Sequence, residues 1–214
     1  MIRIKLLMIV GGVVLLVFGV QEYRLASEAS QTPQSITCAD LASNGPGTNA
    51  HVSVTKAFLC QQAIVFESKK NDQSNWTKIW VPAVPVDSAY VKMIVTLGEA
   101  NGGQLDTVPP PGDIRVLIKT SSVKNKTELE GFSLSALTWP VTGLVTNKIE
   151  SLGSEEKKIL EENYPGIDFA KCYIVDHERK PADAMKLGAM IGGGALIALI
   201  GGGWSVAGMR SKSA

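Results

Sequence analysis

Residues 187–209 run for 23 positions without a charged side chain. As a helix that run is about 34 Å long at 1.5 Å per residue, against a bilayer hydrocarbon core of about 30 Å. Core helices of soluble proteins are seldom so long without a charge, so the run reads as a membrane span. This feature limits the chain more than any other, because what precedes residue 187 must fold beside a bilayer.

The other end carries a second apolar run, residues 6–20, behind Arg3 and Lys5. Its length is the upper limit for a signal-peptide core and slightly short for a span. Counting Ile2 and Ile4, with Lys5 reaching to the interface, makes it long enough. Cleavage after Gly19 would cut into the run, and cleavage after Ala29 would fall far beyond it. An uncleaved signal anchor is therefore the favoured expectation, and a cleaved signal peptide the alternative.

Charge is sorted along the chain. All 20 acidic residues lie between Glu22 and Asp183, and the first 21 and last 28 residues hold only the basic charges Arg3, Lys5, Arg210 and Lys212. Arg179, Lys180 and Lys186 precede the second span, so the local charge count does not orient that span by itself. Basic residues flanking a span are retained on the cytoplasmic side. The expected layout is a signal anchor over 1–21, a polar tether over 22–34, an extracytoplasmic domain over 35–180, a Gly-rich span over 181–209 and a basic cytoplasmic tail over 210–214. Both termini would be cytoplasmic, with the middle periplasmic, extracellular or lumenal, in a cell membrane or an organelle membrane. A net charge of +1 and a 45% hydrophobic share exclude a polybasic nucleic-acid binder and a disordered chain.

The middle reads as an α+β domain. Ser35 and Thr37 suit the cap of a short helix through Ala42, ended by Asn44-Gly45-Pro46-Gly47. His51 to Thr55 alternates, and 57–66 with 76–84 reads as a long hairpin around a polar turn at 68–74. Pro82 and Pro85 point to an edge strand or an extended exit there. Residues 89–97 are another strand candidate, while Gly102-Gly103 and 109–112 mark loops. The second half follows a βαβαβ-like pattern. It has strands over 114–119, 141–145 and 172–176, a helix opened by an Asn125/Glu128 capping box, and a helix opened by Ser154. Pro181 suits the first turn of the last helix.

The chemistry is sparse. Cys38 and Cys60 would close a loop of about 20 residues if they pair in an oxidising compartment, the alternative being two buried thiols. A Cys172–His177 nucleophile fails on strand parity, because positions five apart point to opposite faces. His51 and His177 lack ligand spacing, so no metal or cofactor is expected. Glu155-Glu156 and Glu161-Glu162 read as the wet face of a helix. No P-loop, dinucleotide fingerprint or G-x-S-x-G occurs. Asn75-Trp76-Thr77 and Asn125-Lys126-Thr127 match the glycosylation sequon, which matters only in a lumenal domain.

Glycine is dense in the C-terminal run. Gly188 and Gly192 form G-x-x-x-G, and Gly194, Ala198 and Gly202 continue a face of small residues. Such faces let helix backbones approach closely in lipid. The partner would be the N-terminal span, through Gly12 and Gly19, or a helix of another copy or another protein. The arrangement of span, exported α+β domain and closing span resembles two-span assembly factors of the cytochrome oxidase Surfeit type. The likeness is one of layout, and no residue is carried across from it. The expectation is a non-enzymatic, membrane-anchored interaction, assembly or structural subunit. The alternative is a membrane-tethered enzyme with a site in the loops 44–48 or 104–113.

Overall fold

The computed structural model describes residues 2–69, 72–100, 108–147 and 152–210. Gly102-Gly103, the first part of the 104–113 loop and the tail from 211 lie outside the described residues. The chain divides into two units, one of residues 1–28 with 181–214 and one of residues 29–180.

The first unit is a pair of helices, α1 (Ile2–Ser27) and α6 (Ala184–Arg210). Each contains a stretch long and apolar enough to cross a membrane, Leu6–Ser27 and Met185–Gly203. Helix α1 continues past the expected limit at 21 into the segment expected as a tether. Helix α6 starts three positions after Pro181.

The second unit is a mixed α+β fold on one sheet, of eight strands among the described residues. In chain order they are β1 (Gln34–Thr37), β2 (His51–Thr55), β3 (Ala57–Leu59), β4 (Val65–Lys69), β5 (Asp72–Pro85), β6 (Val116–Thr120), β7 (Val141–Val145) and β8 (Tyr173–His177). The spatial order is β1-β2-β7-β8-β6-β5-β3, with β4 also on β5. β1 runs parallel to β2 and β6 parallel to β8, and the remaining pairs are antiparallel.

Alternation along the central strands sends side chains to two separate cores. Ile79, Val81, Val116, Ile118 and Val175 face one side, where α2 (Cys38–Asn44) and α4 (Lys126–Thr138) bring Leu41 and Leu129. Trp80, Leu117 and Ile174 face the other, covered by Leu160 of α5 (Ser154–Asn163) and by Tyr90 and Val91 of α3 (Ala89–Ala100). Caps set the helix starts. Thr37 accepts from the Asp40 N–H at 3.1 Å, and Asn125 accepts from Glu128 N–H at 3.0 Å. Helix α5 begins after Gly153 with no side-chain cap, so Ser154 is not the capping residue expected.

Three expectations are corrected. Residues 89–100 are a helix, not a strand. The Ser88 hydroxyl accepts from Val91 N–H, and Tyr90, Val91 and Ile94 fall on one helical face. The first arm of the long hairpin is broken into β3 and β4 by a short 3-10 turn at Gln61–Ala63. Pro82 lies inside β5, between two strands, rather than at an edge. Its carbonyl accepts from Cys60 N–H at 2.8 Å. In an antiparallel ladder the missing N–H faces the same way, into the gap between β3 and β4 where no strand carbonyl needs it.

Candidate functional site

Two places gather the residues with the most specific local chemistry. In the helix pair, backbone meets backbone. A Cβ added at Gly12 would lie 2.6 Å from the Ala198 nitrogen and 2.7 Å from the Gly194 oxygen. One added at Gly194 would lie 2.9 Å from both the Gly12 oxygen and the Leu16 nitrogen. Gly19 closes on Ile191, and Gly201 on Met8 and Ile9. Glycine at 12 and 194 permits a backbone approach that any larger residue forbids, while a side chain at 19 or 201 would press on Ile191 or on Met8 and Ile9.

The five residues expected on one face of α6 divide. Gly194 and Ala198 lie in the contact with α1, while Gly188, Gly192 and Gly202 have nothing within 4 Å of where a side chain would start. Gly201 belongs to the contact and was not among the expected five. The signal for it is the seven-residue spacing of Gly194 and Gly201, which matches that of Gly12 and Gly19 and returns to one face after two turns.

The second place is a charged cluster on the Trp80 face of the sheet. Register puts Lys119 of β6 beside Asp176 of β8 and Trp80 of β5, and Lys78 of β5 opposite Glu67 of β4. Glu156, from the first turn of α5, reaches down between them. Its Oε1 accepts from Lys78 Nζ at 2.6 Å and lies 3.2 Å from Lys119 Nζ. Lys78 Nζ is also 3.8 Å from Glu67 Oε2 and 5.4 Å from the Trp80 ring centre. Arg179 Nη1 is 3.7 Å from Asp176 Oδ2.

The two central carboxyls are driven in opposite directions. For Glu156, burial pushes upward, but the Lys78 hydrogen bond and the Lys119 charge prevail and hold it below its ordinary value. For Asp176, burial prevails over Lys119 and Arg179 and raises it. Lys78 is lowered by burial and raised more by Glu156, so it ends above its ordinary value. Sequence reading assigned Glu156 to the wet face of α5. The missing signal was long-range, since its partners come from strands whose order the sequence does not display.

The other expected groups are dispersed. Cys38, Cys60 and Cys172 are free and buried, the arrangement given above as the alternative to a Cys38–Cys60 bridge. Cys38 packs in the Val81 core and Cys60 in the Trp80 core, on opposite faces of the sheet. Burial, foremost, pushes all three thiols up to about 12. Cys172 and His177 likewise face opposite cores, with His177 against Phe132 at 5.0 Å. His51 and His177 are held by their Nδ1 atoms on the carbonyls of Ser30 and Thr142. Among the described residues, no three of His, Cys, Asp and Glu gather as a metal-binding group.

The loops expected to carry a site in the alternative reading each border a cleft. One of about 420 Å³ follows β1 and the Asn44–Gly47 turn. The other, of about 180 Å³, lies between 110–114 and 163–168. In the second, Asp113 is engaged by Arg115 at 2.7 Å and Asp168 by Lys171 at 3.0 Å. Compared with family models, curated proteins and solved structures, the chain has no match.

Proposed function

We propose that the chain is a two-span membrane protein, held by α1 and α6, which presents its α+β unit outside the cytoplasm as a non-enzymatic interaction or assembly subunit. The observation that carries this reading is the second small-residue face of α6. After α1 has taken Gly194, Ala198 and Gly201, Gly188 and Gly192 remain with open space beside them. Support for the spans comes from the outward side chains of both helices, where Leu7 and Leu199 are each 72% exposed. A soluble core helix would bury them. The charge sorting supports cytoplasmic termini.

The membrane-tethered enzyme is the weaker reading. Among the described residues, Asp40 is the one ionisable side chain lining the larger cleft, and Asp113 and Asp168 at the smaller cleft are already paired with cations. The opposed shifts of Glu156 and Asp176 are what favour it, because acid–base chemistry uses such pairs.

The deciding experiment is affinity capture from membranes in mild detergent. Gly188→Leu and Gly192→Leu leave the α1 contact alone and favour insertion, since Leu is better than Gly at the bilayer centre. They should weaken recovery of the partner helix, self or other, about tenfold, as about 1–2 kcal/mol of lost packing implies. Leu196→Ala and Leu199→Ala should change little. Equal behaviour of the two classes at equal membrane abundance, or recovery of a lone monomer in several detergents, overturns the reading.

A further inference from the structure

The sheet ends at β1, and the larger cleft is lined by all four of its residues, so among the described residues of this unit no strand pairs with that edge. Ile36 directs its carbonyl toward β2, where the Thr55 hydroxyl donates to it at 3.3 Å. Main-chain groups alternate along a strand, and in a parallel ladder the N–H and C=O of one residue address the same neighbour. Ser35 therefore turns its N–H and C=O to the cleft, and Thr37 turns its N–H there. β1 carries no charged side chain of the kind that guards exposed edges.

The rest of the lining is also suited to a polar chain. Asn44, Gly45, Gly47 and Thr55 border it, and among the described residues Asp40 supplies its charge. Asp40 Oδ2 accepts from the Thr37 hydroxyl at 2.6 Å, which leaves Oδ1 for a ligand. The cleft volume falls in the range of ligand sites, about 300–1,000 Å³.

We propose that this cleft binds an extended peptide segment, which adds to the sheet as a strand beside β1 and sets a basic side chain against Asp40. β1 is about 13 Å long at 3.3 Å per residue, so about four residues of the partner engage it. Main-chain hydrogen bonds supply the affinity and Asp40 the selectivity. The site is separate from the α6 face, so the two readings fail independently.

The test uses the full chain in lipid nanodiscs and a fluorescent peptide, acetyl-Thr-Val-Lys-Val-Thr-amide. Wild type should bind it saturably. A version N-methylated at every internal residue should bind at least tenfold more weakly, because it cannot form the ladder. Ser35→Pro should have the same effect on the plain peptide while leaving the melting temperature close to wild type, since it removes only an outward N–H. Ile36→Pro, whose N–H serves β2, should instead lower the melting temperature. Asp40→Asn should weaken the Lys peptide several-fold but not one with Thr in place of Lys. If Ser35→Pro disturbs the fold, the N-methylated peptide on wild type still decides. Equal binding of the N-methylated peptide, or no binding at millimolar concentration, overturns the proposal. So does a protein dimer that the N-methylated peptide leaves intact and Ser35→Pro abolishes, which would assign the edge to a second copy.

Discussion

Glu156 is held where lysines from neighbouring strands converge, and its proton affinity carries a stability consequence. It releases its proton more readily in the fold than in the open chain. Its contribution is therefore fully present above the ordinary carboxylate range and is lost as pH falls through its folded value. Asp176 has the opposite sign. Burial raises it, so its ionisation opposes folding above the raised value, and acid relieves that cost. Glu156→Gln should lose about 1–2 kcal/mol at pH 7, at the low end for charge-assisted hydrogen bonds because the cluster is partly hydrated. Urea melts at pH 7 and about pH 3 check it, since linkage requires the difference from wild type to shrink in acid. A difference unchanged by pH would assign the loss to packing alone. Asp176→Asn should cost less than Glu156→Gln at pH 7. Gly143 tests the sheet itself. A Cβ there would run into the Asp176 carbonyl and come within 3.0 Å of the His177 Cα. Both obstacles are backbone of β8, so Gly143→Ala should cost at least about 2 kcal/mol in the same melts, as overpacking against an unyielding neighbour does.

Among the elements, those specified by neighbours in sequence were the legible ones. β7 occupies 141–145 as its alternation implies, and α4 starts at the Asn125/Glu128 box, where Glu128 Oε2 also accepts from Lys124 N–H at 2.7 Å. Asn125→Ala should cost about 1 kcal/mol, measured by thermal unfolding, because it removes the cap of α4. Helix α3 was misread because Val91 and Val95 are β-branched, and the Ser88 cap is a single residue with no acidic partner three positions on. The division of the α6 glycines was not legible either. A list of small residues shows that faces exist, but the phase of one helix against the other decides which face is used. That phase is testable with spin labels at Leu7→Cys and Leu199→Cys, both on outward positions. Gly194→Leu should broaden and lengthen the α1–α6 distance distribution in nanodiscs, whereas Gly202→Leu should leave it near wild type. Identical effects would remove the distinction between the two faces.

At the scale of the whole molecule, the sequence displays the apolar ends and the sorting of charge, but not the sheet between them. Neighbours such as β6 and β8 are brought together across α4, β7 and α5, and local periodicity carries no record of that order. The charged cluster was illegible for the same reason. The proposed topology rests, in contrast, on charges at the ends, and the buried cysteines make it measurable. A thiol pushed up to about 12 by burial is almost wholly protonated at neutral pH, and the thiolate is the form that reacts with maleimide. The native thiols should give little background in the folded protein, which untouched wild type will report. Lys158→Cys then places a thiol on the outer face of α5, where the Lys158 side chain is 76% exposed, and Ser213→Cys places one in the basic tail. With cytoplasmic termini, a membrane-impermeant maleimide should label Lys158→Cys on intact cells or right-side-out vesicles. It should label Ser213→Cys only after permeabilisation. A tag at residue 1 should behave like Ser213→Cys toward external protease. Labelling of Ser213→Cys from outside, with Lys158→Cys protected, would invert both spans. Labelling of both without permeabilisation would mean that α6 does not cross the membrane, and its glycines would then need a partner in water rather than in lipid.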